Sequence, residues 1–151
     1  MKKIIIILSV FAVQLCFSQK VKNAAVQEKK TTEQKFELDK KQKELFNDKY
    51  VQFIAALKVS DRKTMESLLS DKAKEVLTDK VYERLLRDLD FNRKTEIYKT
   101  GYKSLMSGEN YPMIQYKYSD DSSSPDPKEI ITAVFEENGK ILGIKPYKQT
   151  K

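Results

Sequence analysis

Glycine and proline are absent from the first hundred residues of this chain: all four glycines (Gly101, Gly108, Gly139, Gly143) and all four prolines (Pro112, Pro125, Pro127, Pro146) come later. These residues interrupt helices and open turns, so their segregation divides the chain into a helical first part and a second part of short strands. Six of the eight tyrosines, Tyr98 to Tyr147, fall in that second part, where β-branched and aromatic residues alternate with polar ones. That alternation is the mark of half-buried strands. The fold class expected is α+β, with N-terminal helices packed on an antiparallel sheet of four to five strands.

The extreme N-terminus follows a different logic. Lys2 and Lys3 precede an apolar run from Ile4 to Val13, and Gln14 to Ser18 then lead into the polar Gln19-Lys20-Val21-Lys22. This is the layout of a secretory signal peptide over residues 1–18. Cys16 and Ser18 supply the small side chains a signal peptidase reads, so the mature chain is expected to begin at Gln19 and to be exported, periplasmic or secreted. The apolar run falls short of the roughly 20 residues needed to span a bilayer, and no stable membrane span is expected after cleavage. A lipoprotein acylated at Cys16 is the alternative, disfavoured by the bulky Leu15 before it.

Cleavage removes two lysines and no acid, so the net charge falls from +7 to +5. It also removes the single cysteine, leaving no disulfide to staple an exported domain. The chain has no histidine, which excludes Ser-His-Asp and Cys-His catalysis and most zinc sites. No catalytic residue, metal site or cofactor is therefore expected. Its basic and acidic residues are interspersed, which reads as a solvated surface, and export argues against a nucleic-acid partner.

Residues 19–45 read as a charged leader, flexible or helical, with the pattern of a capping box at Thr31 and Gln34. Residues 46–151 form the single expected α+β domain. Phe46, Tyr50, Phe53, Ile54 and Leu57 fall on one face of a helix. Ser60 or Asp61 can cap a second helix carrying Met65, Leu68, Leu69, Ala73, Val76 and Leu77, which Ser70 can break. Thr78 or Asp79 can cap another, with Val81, Tyr82, Leu85, Leu86 and Leu89 turned inward.

Strands are expected near 93–100, 102–107, 112–119, 128–136 and 140–147. Asn138-Gly139 suits a two-residue type I′ turn, which would set Phe135 opposite Leu142, Ala133 opposite Ile144 and Ile131 opposite Pro146 on one apolar face. Thr132, Val134, Ile141, Gly143 and Lys145 would then occupy the other face. The acidic, hydroxyl-rich segment 119–127 lacks the glycine and the terminal glutamate of an EF-hand and reads as a hairpin loop.

The order of elements, ending in Val134-Phe135-Glu136-Glu137-Asn138-Gly139-Lys140-Ile141-Leu142-Gly143-Ile144, resembles the cystatin-like, NTF2-like superfamily over residues 46–147, in particular its small exported bacterial members. The resemblance implies a curved sheet wrapped around a long helix, leaving a cone-shaped apolar cup. Three uses of such a cup compete, the third of them known among members of that superfamily. The first is a binding module holding an apolar ligand, a peptide or an envelope protein partner. The second is an envelope folding helper of holdase or prolyl-isomerase type. The third is a ketosteroid-isomerase-like or cyclase-like enzyme, which would need a buried carboxyl group that no apolar stripe here supplies. Tyr98, Tyr116 and Tyr118 are the candidate ligand-binding residues on the rim.

Overall fold

The computed structural model describes residues 37–149 apart from 107 and 124. The expected signal peptide over 1–18 and the expected capping box at Thr31 and Gln34 lie outside the described residues. Among the described residues four helices come first, α1 (Lys40–Lys58), α2 (Arg62–Leu68), α3 (Asp71–Val76) and α4 (Asp79–Asp88). Four strands follow, β1 (Thr95–Ser104), β2 (Asn110–Tyr118), β3 (Glu129–Phe135) and β4 (Ile141–Lys148), all antiparallel and paired in sequence order. The α+β expectation holds in that order.

Helix α1 starts at Lys40, six residues before the apolar stripe, because Asp39 and Gln42 form a reciprocal capping box: the Gln42 amide donates to Asp39 at 2.8 Å and the Asp39 amide to Gln42 at 3.1 Å. Its buried face is Phe46, Tyr50, Phe53, Ala56 and Leu57. Asp61, not Ser60, caps α2, accepting from the Thr64 amide at 3.1 Å, while Ser60 takes the left-handed conformation at φ 59° that turns the chain. Ser70 does break the next stretch. Its side chain caps α3 through the Ala73 amide, and its own amide donates to the Ile141 carbonyl at 2.9 Å, so the break joins helix to sheet. The break also rotates the helix beyond it: Val76 is 66% exposed instead of continuing the stripe. Thr78 caps α4, whose Tyr82 and Leu85 are buried, whereas Val81 faces outward.

The two strands expected over 93–100 and 102–107 are one. Gly101 sits inside β1, paired with Met113, and the irregularity falls instead at Tyr98, between Ile97 and Lys99. A lone glycine reads as a breaker in sequence, but in a strand it is a tolerated weak point. The helices cover one face of the sheet: Phe46 stacks on Phe135 with ring centroids 4.9 Å apart, and Tyr50 on Tyr116 at 3.7 Å.

The terminal hairpin holds two of its three expected pairs, Ala133 with Ile144 and Ile131 with Pro146, and corrects the third. Phe135 pairs with Ile141, and the register shifts between Val134 and Phe135. The turn is not the two-residue form: Gly139 donates to Glu136 and Glu136 to Lys140, and only Gly139, at φ 85°, enters the left-handed region. This longer loop adds a bulge, so Leu142 is the extra residue against Phe135. Ile141 is therefore fully buried where Leu142 was expected, and Leu142 lies half-buried on the outer face, beside Gly143 and the buried Val134.

Candidate functional site

A cleft opens where the end of α4 meets the paired ends of β3 and β4. Its outer chamber, about 970 Å³, runs from Arg84 through Arg93 on one side to Glu129–Ile131 and Lys145–Lys148 on the other. A second, equally open chamber of about 220 Å³ adjoins it along α1; this inner chamber is bounded by Tyr50, Val51, Ile54, Ala55, Thr95 and Ile131. Lys58, Phe91, Arg93 and Tyr118 border both chambers. Wide, half-open space at the junction of several elements is where small-molecule sites usually form.

The walls are held by a charged node around Arg93. Its guanidinium lies 4.0 Å above the Tyr118 ring, makes contacts of 2.7 to 2.9 Å with Asp120 and reaches Glu129 at 3.1 Å. Glu129 also receives Lys148 at 2.8 Å. The node thereby ties the turn after α4 to the β2–β3 loop and to both strands of the terminal hairpin. Hydrogen bonding to Arg93 holds the Asp120 carboxyl below its usual range, and the Glu129 partner raises Lys148. Tyr118 is fixed from a second direction, its hydroxyl accepting from the Asp90 amide at 2.9 Å, while burial pushes its phenol upward.

Of the three tyrosines expected on a rim, Tyr118 alone borders this cleft. Tyr116 lies in the core beneath α1, 1% exposed and stacked on Tyr50. Its hydroxyl is buried without a protein partner, as is that of Tyr82, and burial raises the Tyr116 phenol far above its ordinary value. Tyr98 is half-buried at the β1 irregularity, donating to the Pro125 carbonyl at 3.0 Å with Lys99 over its ring. It lines neither chamber, so it braces the β2–β3 loop. Within that loop the buried Asp121 accepts from the Ser123 and Lys128 amides at 3.0 and 2.6 Å, and the Ser123 amide first of all brings its carboxyl down to about 2. The acids of the segment thus serve the chain itself. Among the described residues no group of three or more His, Cys, Asp or Glu gathers as a metal cluster would, and no helix is long and apolar enough to cross a membrane.

Sequence reasoning did not find Lys58, Phe91, Arg93, Ile131 or Lys145 as neighbours, because they come from four separate elements and turns. One partial signal was available: Asp90-Phe91-Asn92-Arg93 is a polar turn carrying a large aromatic ring directly after an amphipathic helix.

Comparison with protein-family models, with curated proteins and with solved structures finds no match to this chain.

Proposed function

We propose that this chain is an exported binding module that holds a ligand with an apolar part in the two-chamber cleft, on a sheet of the cone-like, NTF2-like type that residues 46–147 resemble. The observation that carries this reading is the inner chamber itself: apolar faces of Ile54, Phe91 and Ile131 border open space, within walls braced by the Arg93 node. Preorganised walls lower the ordering cost of binding. Turnover of an isomerase or cyclase kind would need a carboxyl in the cleft free to move a proton. Glu129 is instead engaged by Arg93 and Lys148, Asp88 by Arg84 and Arg87, and Asp90 by the Asn92 amide.

The test is a filled chamber. Ala55 lies on the exposed side of α1 yet borders the inner space, so Ala55→Trp inserts a ring there without touching the buried stripe. The neutral dye Nile red is expected to bind the unsubstituted protein at one saturable site and to lose that site in Ala55→Trp at unchanged melting temperature. Absence of saturable binding, or binding indifferent to the Ala55→Trp change, refutes the reading. Export is tested by intact mass, expected to equal residues 19–151; a diacylated Cys16 terminus would overturn it.

A further inference from the structure

The chemistry of the cleft narrows the class of ligand. Six cations border the outer chamber, Lys58, Arg84, Arg87, Arg93, Lys145 and Lys148, against three acids, Asp88, Asp90 and Glu129. The pairing among them leaves the surplus in definite places. Arg84 and Arg87 both contact Asp88, and Arg93 and Lys148 both contact Glu129. Lys145 makes no ion pair among the described residues, and Lys58 makes none either, its ammonium reaching only the Phe91 carbonyl oxygen at 3.4 Å. Lys58 is also the uncommitted cation that borders both chambers. The single acid at that junction, Asp90, has its carboxylate turned to the Asn92 amide.

An uncommitted ammonium at the mouth of a small apolar chamber is complementary to one kind of molecule. We infer that the cleft takes a small amphipathic monoanion, a carboxylate on an aryl or short acyl body, with the carboxylate at Lys58 and the apolar body against Phe91, Tyr118 and Ile131 in the inner chamber. This rests on the binding-module reading and specifies its ligand. The inner volume of about 220 Å³ exceeds the roughly 150 Å³ in which an apolar cavity holds a benzene ring, so one ring fits. The positive field of Lys145 and of the arginines at the α4 end favours the anion's approach, and the charge-assisted contact with the Lys58 ammonium holds it.

The experiment uses 4-phenylbutyrate as probe, with 4-phenylbutanol and butyrate as its neutral and ringless counterparts, followed by amide NMR shifts. Anionic lipid headgroups share the acid-plus-apolar chemistry, so phosphatidylglycerol vesicles form a second arm. The expected result is saturable shifts at Phe91 and Ile131 with phenylbutyrate, at least about tenfold weaker binding for each counterpart, and a similar loss in Lys58→Gln, whose exposed position leaves the fold intact. A smaller loss in Lys145→Gln would add support. Equal affinity for phenylbutanol overturns the anion assignment while leaving the binding module standing; shifts from none of the three, together with no Nile red site, overturn both. Vesicle binding that depends on Lys58 without any response to phenylbutyrate assigns the site to lipid and overturns the free-acid proposal.

Discussion

Tyr116→Phe and Tyr118→Phe make the same chemical change two residues apart on one strand, and the structure gives them opposite signs. The Tyr116 hydroxyl is buried in the core with no protein partner. A buried polar group left unpaired costs about 1 to 3 kcal/mol, so deleting it while keeping the ring on Tyr50 should stabilise the fold by about 1 kcal/mol. For a domain near this size that is a rise in melting temperature of about 4 °C. The Tyr118 hydroxyl, by contrast, accepts the Asp90 amide at 2.9 Å. Removing it orphans a half-buried donor and should cost about 1 kcal/mol, while also loosening the turn that forms one wall of the cleft. Urea unfolding followed by far-ultraviolet circular dichroism measures both variants, and the contrast between them cancels the generic effects of a Tyr→Phe change. A loss of about 1 kcal/mol or more in Tyr116→Phe would mean that its hydroxyl is satisfied, and the account of this core would be wrong.

Other expectations bear on the same framework. Ile141→Ala should cost about 2 to 5 kcal/mol and Phe135→Ala about 3 to 5, whereas Leu142→Ala should cost about 1; urea midpoints reversing the order of Ile141 and Leu142 would restore the unbulged register. Asp121 has its folded pKa lowered to about 2, so its contribution is present above the unfolded value near 4 and is lost as pH falls toward 2. The melting-temperature gap between the unsubstituted protein and Asp121→Asn should therefore close over that window; a gap constant from about pH 6 to about pH 2 would remove the loop anchor. Burial raises the phenols of Tyr50 and Tyr116 well above 10. Their protonated forms stabilise the fold below that pH, and absorbance at alkaline pH should show these two rings ionising only together with unfolding.

How much of this was legible in the sequence differs by element. Helical stripes were readable because burial selects a fixed spacing: Phe46, Tyr50, Phe53 and Leu57 lie inward as their period requires. The reading slipped where one residue changes phase. Ser70, recognised as a break, turns the chain enough to expose Val76, and no periodicity computed across a break survives it. In the sheet, alternation placed Ile131, Ala133 and Phe135 of β3 on the buried face, where they lie. The hairpin register failed at its closed end because Asn-Gly suits a two-residue turn as well as the longer loop seen here, in which only the glycine needs positive φ. One added residue then exchanged Ile141 for Leu142 in the core, the expected consequence of a side-chain period of two.

The cleft was less legible for a reason intrinsic to such sites. A core residue announces itself by hydrophobicity at a regular spacing, but a cleft residue is defined by what faces it from elsewhere. Arg93 illustrates this: in sequence it is one of 29 basic residues, and only folding brings Asp120 and Glu129, respectively 27 and 36 positions away, onto its guanidinium. Tyr116 and Tyr118 were both expected on the rim of the cup; both are core residues, 1% and 2% exposed, and only Tyr118 also borders the cleft. The difference is made by α1, whose Tyr50 covers the Tyr116 ring, whereas Tyr118 lies nearer the flank of the helix that Tyr50, Val51, Ile54, Ala55 and Lys58 turn toward the inner chamber. The inner chamber lies along that flank, and Lys58, at the last turn of the helix, borders both it and the outer chamber. The site therefore depends on the side chains that the flank of α1 presents, Val51, Ile54, Ala55 and Lys58, as much as on the turn after α4 that faces them.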